Sequence, residues 1–220
     1  MNPTGATEPT AVERAHVRNR RGQGGRLRED IIDAAVALLD ETGDERSITL
    51  RSVARKVGIA APSIYPHFSD QPRIMLAVVQ REFAGLEAYL RKAVEEAGDE
   101  PRDRLLAICR GYLEFARKYP QRYRTMFGGL WMPPLGEGHS LSEEDTLTLG
   151  QGAIQLLVDA LAECVAAGQS EITDPPLDAV VLWMSLHGLA HQRAVSRGFP
   201  WPEHSIADAM VTRIARLTEA

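Results

Sequence analysis

Residues Thr49 to Gln71 read TLRSVARKVGIAAPSIYPHFSDQ, and no other stretch constrains the fold of this chain as tightly. The Thr49 hydroxyl can cap the orphan amides that open a helix. Leu50, Val53, Ala54 and Val57 then recur at i, i+3, i+4 and i+7, the stripe by which a helix faces a core. Gly58 falls just beyond, where a left-handed residue closes a helix at least steric cost. Pro62 fits the first turn of a second helix, where its missing amide is harmless. The spacing predicts two short helices on a tight turn, the second carrying Tyr65 and His67. That is the layout of a helix-turn-helix, whose second helix enters the DNA major groove. Pro66 removes an amide from that second helix, so its last turn is expected to be bent or irregular.

Around this core the stretch from about Arg26 to Phe83 resembles the DNA-binding domain of the tetracycline-repressor (TetR) family of bacterial regulators. The residues that carry the resemblance are the preceding helix LREDIIDAAVALLDETG, the glycine of the turn, the IYPHF block and the start of a long helix at DQPRIMLAVV. The resemblance implies that Tyr65 and His67 contact phosphates, helped by Thr49, Arg51 and the first-turn amides. Ala61, Pro62 and Ser63, at the start of the second helix, are expected to face base edges. Ser63 can hydrogen-bond there, whereas Ala61 and Pro62 can only touch thymine methyls or exclude. Gln71 stands where the family usually has a phosphate-binding lysine, so a weaker, uncharged contact is expected at that position.

The net charge of −5 does not suggest a nucleic-acid binder until it is divided along the chain. Residues 1–70 carry ten Arg or Lys and ten Asp or Glu, so the whole acidic excess lies after them. Arg14 to Arg28 holds six arginines and no acid. A basic arm ahead of a helix-turn-helix can track phosphates or reach the minor groove. Between Arg14 and Arg21 a merely solvated tail is an equal alternative; for Arg26 and Arg28 phosphate contact is expected.

Three units follow from the pattern. Residues 1–25 lack apolar periodicity and read as a disordered basic tail. Residues 26–70 form a three-helix DNA-binding unit. Residues 71–220 form a helical unit for effector binding and dimerisation, opened by a long helix capped by Asp70. No segment alternates with period two, so an all-α fold of about nine helices is expected. A single helix is expected from Ser142 to Gly168, another from Asp174 to Gly198, and a last one from Pro202 or Glu203 nearly to the end. No run approaches the ~18 apolar residues of a membrane span, and the first residues show no apolar leader, so a cytoplasmic protein without membrane contact is expected. Cys109 and Cys164 are expected as buried free thiols.

Aromatic residues and methionines gather in the second unit. A large apolar pocket with a few polar groups is what a small-molecule site needs. The resemblance implies an effector between the helices of this unit, so Ile108, Tyr112, Tyr123, Met126, Phe127, Trp131, Trp183 and His187 are candidate ligand-binding residues. The helix after Asp174 is apolar on two sides, which predicts burial on both. The W-x-x-x-H-G string from Trp183 to Gly188 resembles a subgroup of TetR C-terminal domains. In the family the last two helices pair with their twins, which implies a homodimer. Leu182, Leu186, Leu189, Val211 and Ile214 are the expected centre of that interface.

His187 and His191 share a helical face at a spacing that suits zinc, but Gly188 stands where a metalloprotease needs its glutamate. No nucleophile elbow and no phosphate-cradling glycine loop is present in the sequence, and neither a catalytic site nor a cofactor is expected. The resulting expectation is a homodimeric regulator that binds a double-stranded DNA operator, a repressor released by a small hydrophobic effector. The alternative is a helical small-molecule or metal-binding protein that binds no operator.

Overall fold

The computed structural model describes residues 24–128, 135–136, 139–202 and 205–218. The described residues form nine α-helices: α1 (Gly24–Thr42), α2 (Leu50–Val57), α3 (Gln71–Glu96), α4 (Pro101–Lys118), α5 (Pro120–Phe127), α6 (Glu143–Leu147), α7 (Gln151–Ala166), α8 (Pro175–Val195) and α9 (Ser205–Ile214). Two short 3-10 turns, Glu45–Ser47 and Ala61–Ser63, flank α2. Among these residues no strand forms, only an isolated bridge between Ser170 and Leu217. No described helix is long and apolar enough to cross a membrane.

Two cores organise the chain. The first buries Ile31 and Ala35 of α1, Val53 and Ala54 of α2, Ile64 and Phe68 after the second 3-10 turn, and Ile74, Met75 and Val78 of α3. The second gathers Leu86 and Leu90 of α3 with Leu105, Ile108 and Phe115 of α4, Leu157 and Leu161 of α7, and Leu182 and Leu186 of α8. Helix α3 therefore has one end in each core. At 26 residues it is about 39 Å long at ~1.5 Å per residue, enough to pass from one to the other. Asp70 caps it, accepting from the Arg73 amide at 3.1 Å, and Pro72 sits in its first turn.

The N-terminal half of α3 is tied to its neighbours by ion pairs. Arg81 bridges to Glu29 and Asp33 of α1. Arg73 meets Asp145 of α6 at 2.8 Å. The Arg122 guanidinium of α5 lies 3.5 Å from the buried Glu82. Burial raises the pKa of Glu82, with Arg122 opposing.

Three helices depart from the sequence expectation. The helix foreseen from Ser142 to Gly168 is two, because Gly150 takes a left-handed conformation (φ 75°) and interrupts it between α6 and α7. Ser142 and Asp145 close a capping box at the start of α6. Helix α8 ends at Val195, short of Gly198. The last helix stops at Ile214; Arg216 then adopts φ 44° and the chain turns to bridge Ser170.

Candidate DNA-binding face and effector cavity

The helix-turn-helix is built as its sequence dictates up to Gly58. Thr49 caps α2: its hydroxyl accepts from the Ser52 amide at 3.0 Å, while Ser52 reaches back to the Thr49 amide at 2.8 Å. Gly58 ends the helix at φ 82°. Beyond it no regular second helix forms. Ala61–Ser63 is a single 3-10 turn, followed by turns closed by the His67 and Phe68 amides donating to the Ile64 carbonyl at 2.8 and 3.0 Å. Pro66 has no amide to extend a helical ladder, which accounts for the irregularity.

This compact element is anchored from beneath by buried Ile64 and Phe68 and leaves its other side open. Pro62, Ser63 and Tyr65 are exposed, Tyr65 at 61%. Ala61 and His67 are half-buried, and Arg51 on α2 is exposed. Arg26 and Arg28 are exposed near the start of α1, and the Arg28 guanidinium stands 5.1 Å above the Phe68 ring, which brings its charge beside the recognition element. Arg28 and His67 line one surface depression, Thr49 and Arg51 stand exposed at the start of α2, and Ser63 and Tyr65 lie on the open side of the element that follows it. Gln71 is different. Its side-chain amide donates to the Glu45 carbonyl at 3.0 Å and so clamps the turn before α2 to the start of α3. The proposed arm from Arg14 to Arg21 lies outside the described residues.

Between α3, α4, α5, α7 and α8 the second core encloses a cavity of about 290 Å³. Phe83, Leu86 and Leu90 of α3 form one wall. Ile108, Tyr112, Phe127, Trp183 and Leu186 close other sides, with Leu149, Gly150, Ala153, Ile154 and Leu157 opposite. Of the expected ligand-binding residues, Ile108, Tyr112, Phe127 and Trp183 line this cavity. Met126 packs against the core and is not part of the lining. Trp131 lies outside the described residues.

Tyr123 and His187 stand behind the wall and are joined to it by Tyr112. The Tyr123 hydroxyl is 2.7 Å from His187 Nδ1, the Tyr112 hydroxyl 3.2 Å from the same nitrogen, and the two hydroxyls 3.3 Å apart. Burial raises the pKa of both phenols. Burial, aided by nearby His191, lowers that of His187. All three groups are therefore neutral near pH 7, and Nδ1 of His187 is committed to the tyrosines. Among the described residues no cluster of three His, Cys, Asp or Glu side chains is placed to hold a metal. Cys109 and Cys164 are buried free thiols, Cys164 pushed up to about 11 by burial. They are poor nucleophiles in that state.

The expected dimer set needs correction. Leu182, Leu186, Leu189 and Val211 are buried inside the single chain, and Ile214 packs partly against the same core. They are core residues, and Leu186 also faces the cavity. The surface of α8 instead presents Leu177, Val180, Val181, Met184 and Val195, each 41–62% exposed. These recur with helical period along one outward stripe that also includes Gly188 and His191. Val180 and Met184 follow the same helical spacing as Trp183 and His187. The packing separates them, turning the first pair outward and the second toward the cavity wall.

Sequence reasoning also missed most of the cavity. Phe83, Leu86 and Leu90 were legible only as core positions of a long helix. Leu149 to Leu157 enter the site because Gly150 breaks α6 from α7. The adjacent Phe83, Gly150 and Gly152 were the available signal, since glycine marks close approach of one element to another.

Residues 105–217 match the family model described as the tetracyclin repressor-like C-terminal domain. The HTH-type transcriptional activator FasR of Mycolicibacterium smegmatis is 33% identical over 75 residues, which is 34% of this chain and 34% of FasR. The chain thus spans about a third of that relative's length in the match. A protein of unknown function from Rhodococcus sp. RHA1 has a similar structure, with TM-score 0.72, 26% identity, and coverage of 91% of this chain and 100% of that one. The regulator FadR of Bacillus subtilis, solved in complex with stearoyl-CoA, shares the fold at TM-score 0.64 and 15% identity, covering 85% of this chain and 97% of its own. The C-terminal match covers more than half of the chain, and the helix-turn-helix precedes it in the expected place. The chain belongs to the tetracycline-repressor family of regulators.

Proposed function

We propose that this protein is a homodimeric transcriptional regulator that binds an operator through the surface around Tyr65 and is displaced from it when a small hydrophobic molecule enters the cavity. One observation carries the reading: α3 packs Ile74, Met75 and Val78 into the DNA-binding core and lines the effector cavity with Phe83, Leu86 and Leu90. A ligand that pushes on Phe83 or Leu86 moves the same rigid element that seats the recognition turn. A second path runs from Leu149 and Gly150 at the cavity through α6 to the Asp145–Arg73 ion pair at the start of α3.

Dimerisation turns that movement into a DNA response. Two half-sites about one helical turn (~34–36 Å) apart accept a dimer only at the matching spacing of its recognition elements. The exposed apolar stripe of α8 is the surface best suited to join two copies. The ligand needs no contact with DNA, only a different affinity for the two spacings. Repression is the expected direction, although FasR carries the name of an activator. A cavity of this size does not admit a ligand such as stearoyl-CoA without rearrangement. The metal-binding alternative is weakened by the engagement of His187 Nδ1 with two tyrosines.

The test is DNA selected from a random pool by the purified protein, followed by gel shifts with wild-type protein and Tyr65→Ala. The reading predicts a two-fold symmetric selected site and loss of binding in the variant. Absence of any enriched sequence would overturn it.

A further inference from the structure

The cavity and its polar wall restrict the effector beyond "small and hydrophobic". We propose that the effector is an uncharged, compact apolar molecule bearing one hydroxyl or carbonyl oxygen that sits against Tyr112. This rests on the cavity being the effector site. A cavity of about 290 Å³ limits the effector to a small molecule.

The charge restriction comes from the lining. Among the described residues that line the cavity there is no Lys, Arg, His, Asp or Glu. On α3 the charged residues next to the lining positions are Glu82, Glu87 and Arg91, and the two carboxylates would repel an anion. Their guanidinium partners are already engaged, Arg122 at 3.5 Å from Glu82 and Arg91 at 2.7 Å from Glu87. A carboxylate or phosphate entering this space would lose its water without gaining a counter-charge, which is strongly unfavourable.

A cation would need the open faces of the aromatic rings. Those rings are spent on one another: Phe83 meets Phe127 edge-on at 5.3 Å, and Phe127 lies 6.2 Å from Trp183 and 6.3 Å from Tyr112. They make a packed wall rather than a cage.

The polar anchor comes from counting protons. Tyr112, Tyr123 and a neutral His187 hold two hydroxyl protons and one ring proton. With the ring proton on Nε2, Tyr123 donates to Nδ1 and Tyr112 donates into the triad, leaving oxygen lone pairs toward a ligand hydroxyl. With it on Nδ1, the ring donates to Tyr123, Tyr123 to Tyr112, and the Tyr112 hydroxyl is free to donate to a ligand carbonyl. The triad can therefore greet either oxygen type, and it does so without a net charge. Trp183, the other lining side chain with a polar group, has an indole N–H that only donates and is already directed at the Tyr112 hydroxyl.

The experiment compares 1-octanol, octanoate and octyltrimethylammonium, matched in length, by tryptophan quenching of the full-length protein at pH 7.5. Wild type is set beside Tyr112→Phe and a cavity-filling variant, Ala153→Phe or Leu157→Trp, whichever keeps the wild-type helical circular dichroism. The expected result is octanol binding at least tenfold tighter than either ion, weakened about threefold to tenfold in Tyr112→Phe and abolished in the filled variant. If an ion binds as tightly as octanol or tighter and the filled variant loses it, the site reading stands and the proposed class is overturned. Undiminished binding of octanol in the filled variant, or no binding of any of the three, overturns the site reading and the class with it. Octanol binding unchanged in Tyr112→Phe refutes the anchor.

Discussion

Replacing Gly150 by Ala tests the claim that the break between α6 and α7 shapes the cavity. Two costs are expected. The left-handed backbone (φ 75°) penalises any residue with a Cβ by about 1–2 kcal/mol. The new methyl would also lie 2.9 and 3.2 Å from two carbons of the Phe83 ring, inside van der Waals contact. Phe83 cannot swing freely, because it packs edge-on against Phe127, and overpacking of this kind costs about 1–3 kcal/mol. Gly168 supplies the control: its φ is 72°, and an added Cβ meets nothing within 4 Å. Urea unfolding of both variants separates the terms. Gly168→Ala should lose only the backbone cost, and Gly150→Ala should lose about 1–3 kcal/mol more. The added loss should shrink when Phe83 is also changed to Leu. Equal destabilisation of the two glycine variants would refute the contact between Gly150 and Phe83 on which the cavity wall depends.

Further outcomes are expected. Met184→Arg places a charge in the middle of the exposed α8 stripe; it should leave the circular dichroism unchanged and convert the dimer to monomer on sizing. A wild-type protein that is monomeric at micromolar concentration would remove the basis for this surface. Arg51→Ala should weaken binding to all DNA sequences alike and lower the salt slope by about one unit, whereas a change at Ser63 should relax preference at one base pair. The lowered pKa of His187 has a definite sign: the unfolded state takes up the proton first as pH falls below about 6.5, so this group's contribution to stability is present above that pH and lost below it. Urea midpoints measured between pH 7.5 and 5 should fall less steeply in His187→Gln than in wild type.

The DNA-binding unit was largely legible in the sequence because its signals are local. A cap at Thr49, a stripe over Leu50 to Val57 and a closing Gly58 all act within one or two turns of helix. The irregular recognition turn was foreseen from Pro66, though not that no regular helix would form at all. The second unit was less legible. On α8 almost every residue is apolar or small, so periodicity alone could not tell the side facing α4 and α7 from the side facing outward; Leu186, read as an interface residue, packs into the core, while Met184 faces outward. Gln71 also read as a DNA contact, and only tertiary structure brings the Glu45 carbonyl within its reach. The cavity arises from the meeting of five helices spread along the chain, a property that no single stretch of residues encodes.

The central claim is that ligand occupancy and DNA binding are coupled through α3. Its most direct measurement is the fluorescence anisotropy of a labelled operator, selected in vitro, titrated with the protein in the absence and presence of saturating ligand. Bound ligand is verified in the same samples by tryptophan quenching. The account predicts at least a tenfold loss of operator affinity in wild type and none in the cavity-filled variant. Operator affinity unchanged while the ligand is demonstrably bound would contradict it.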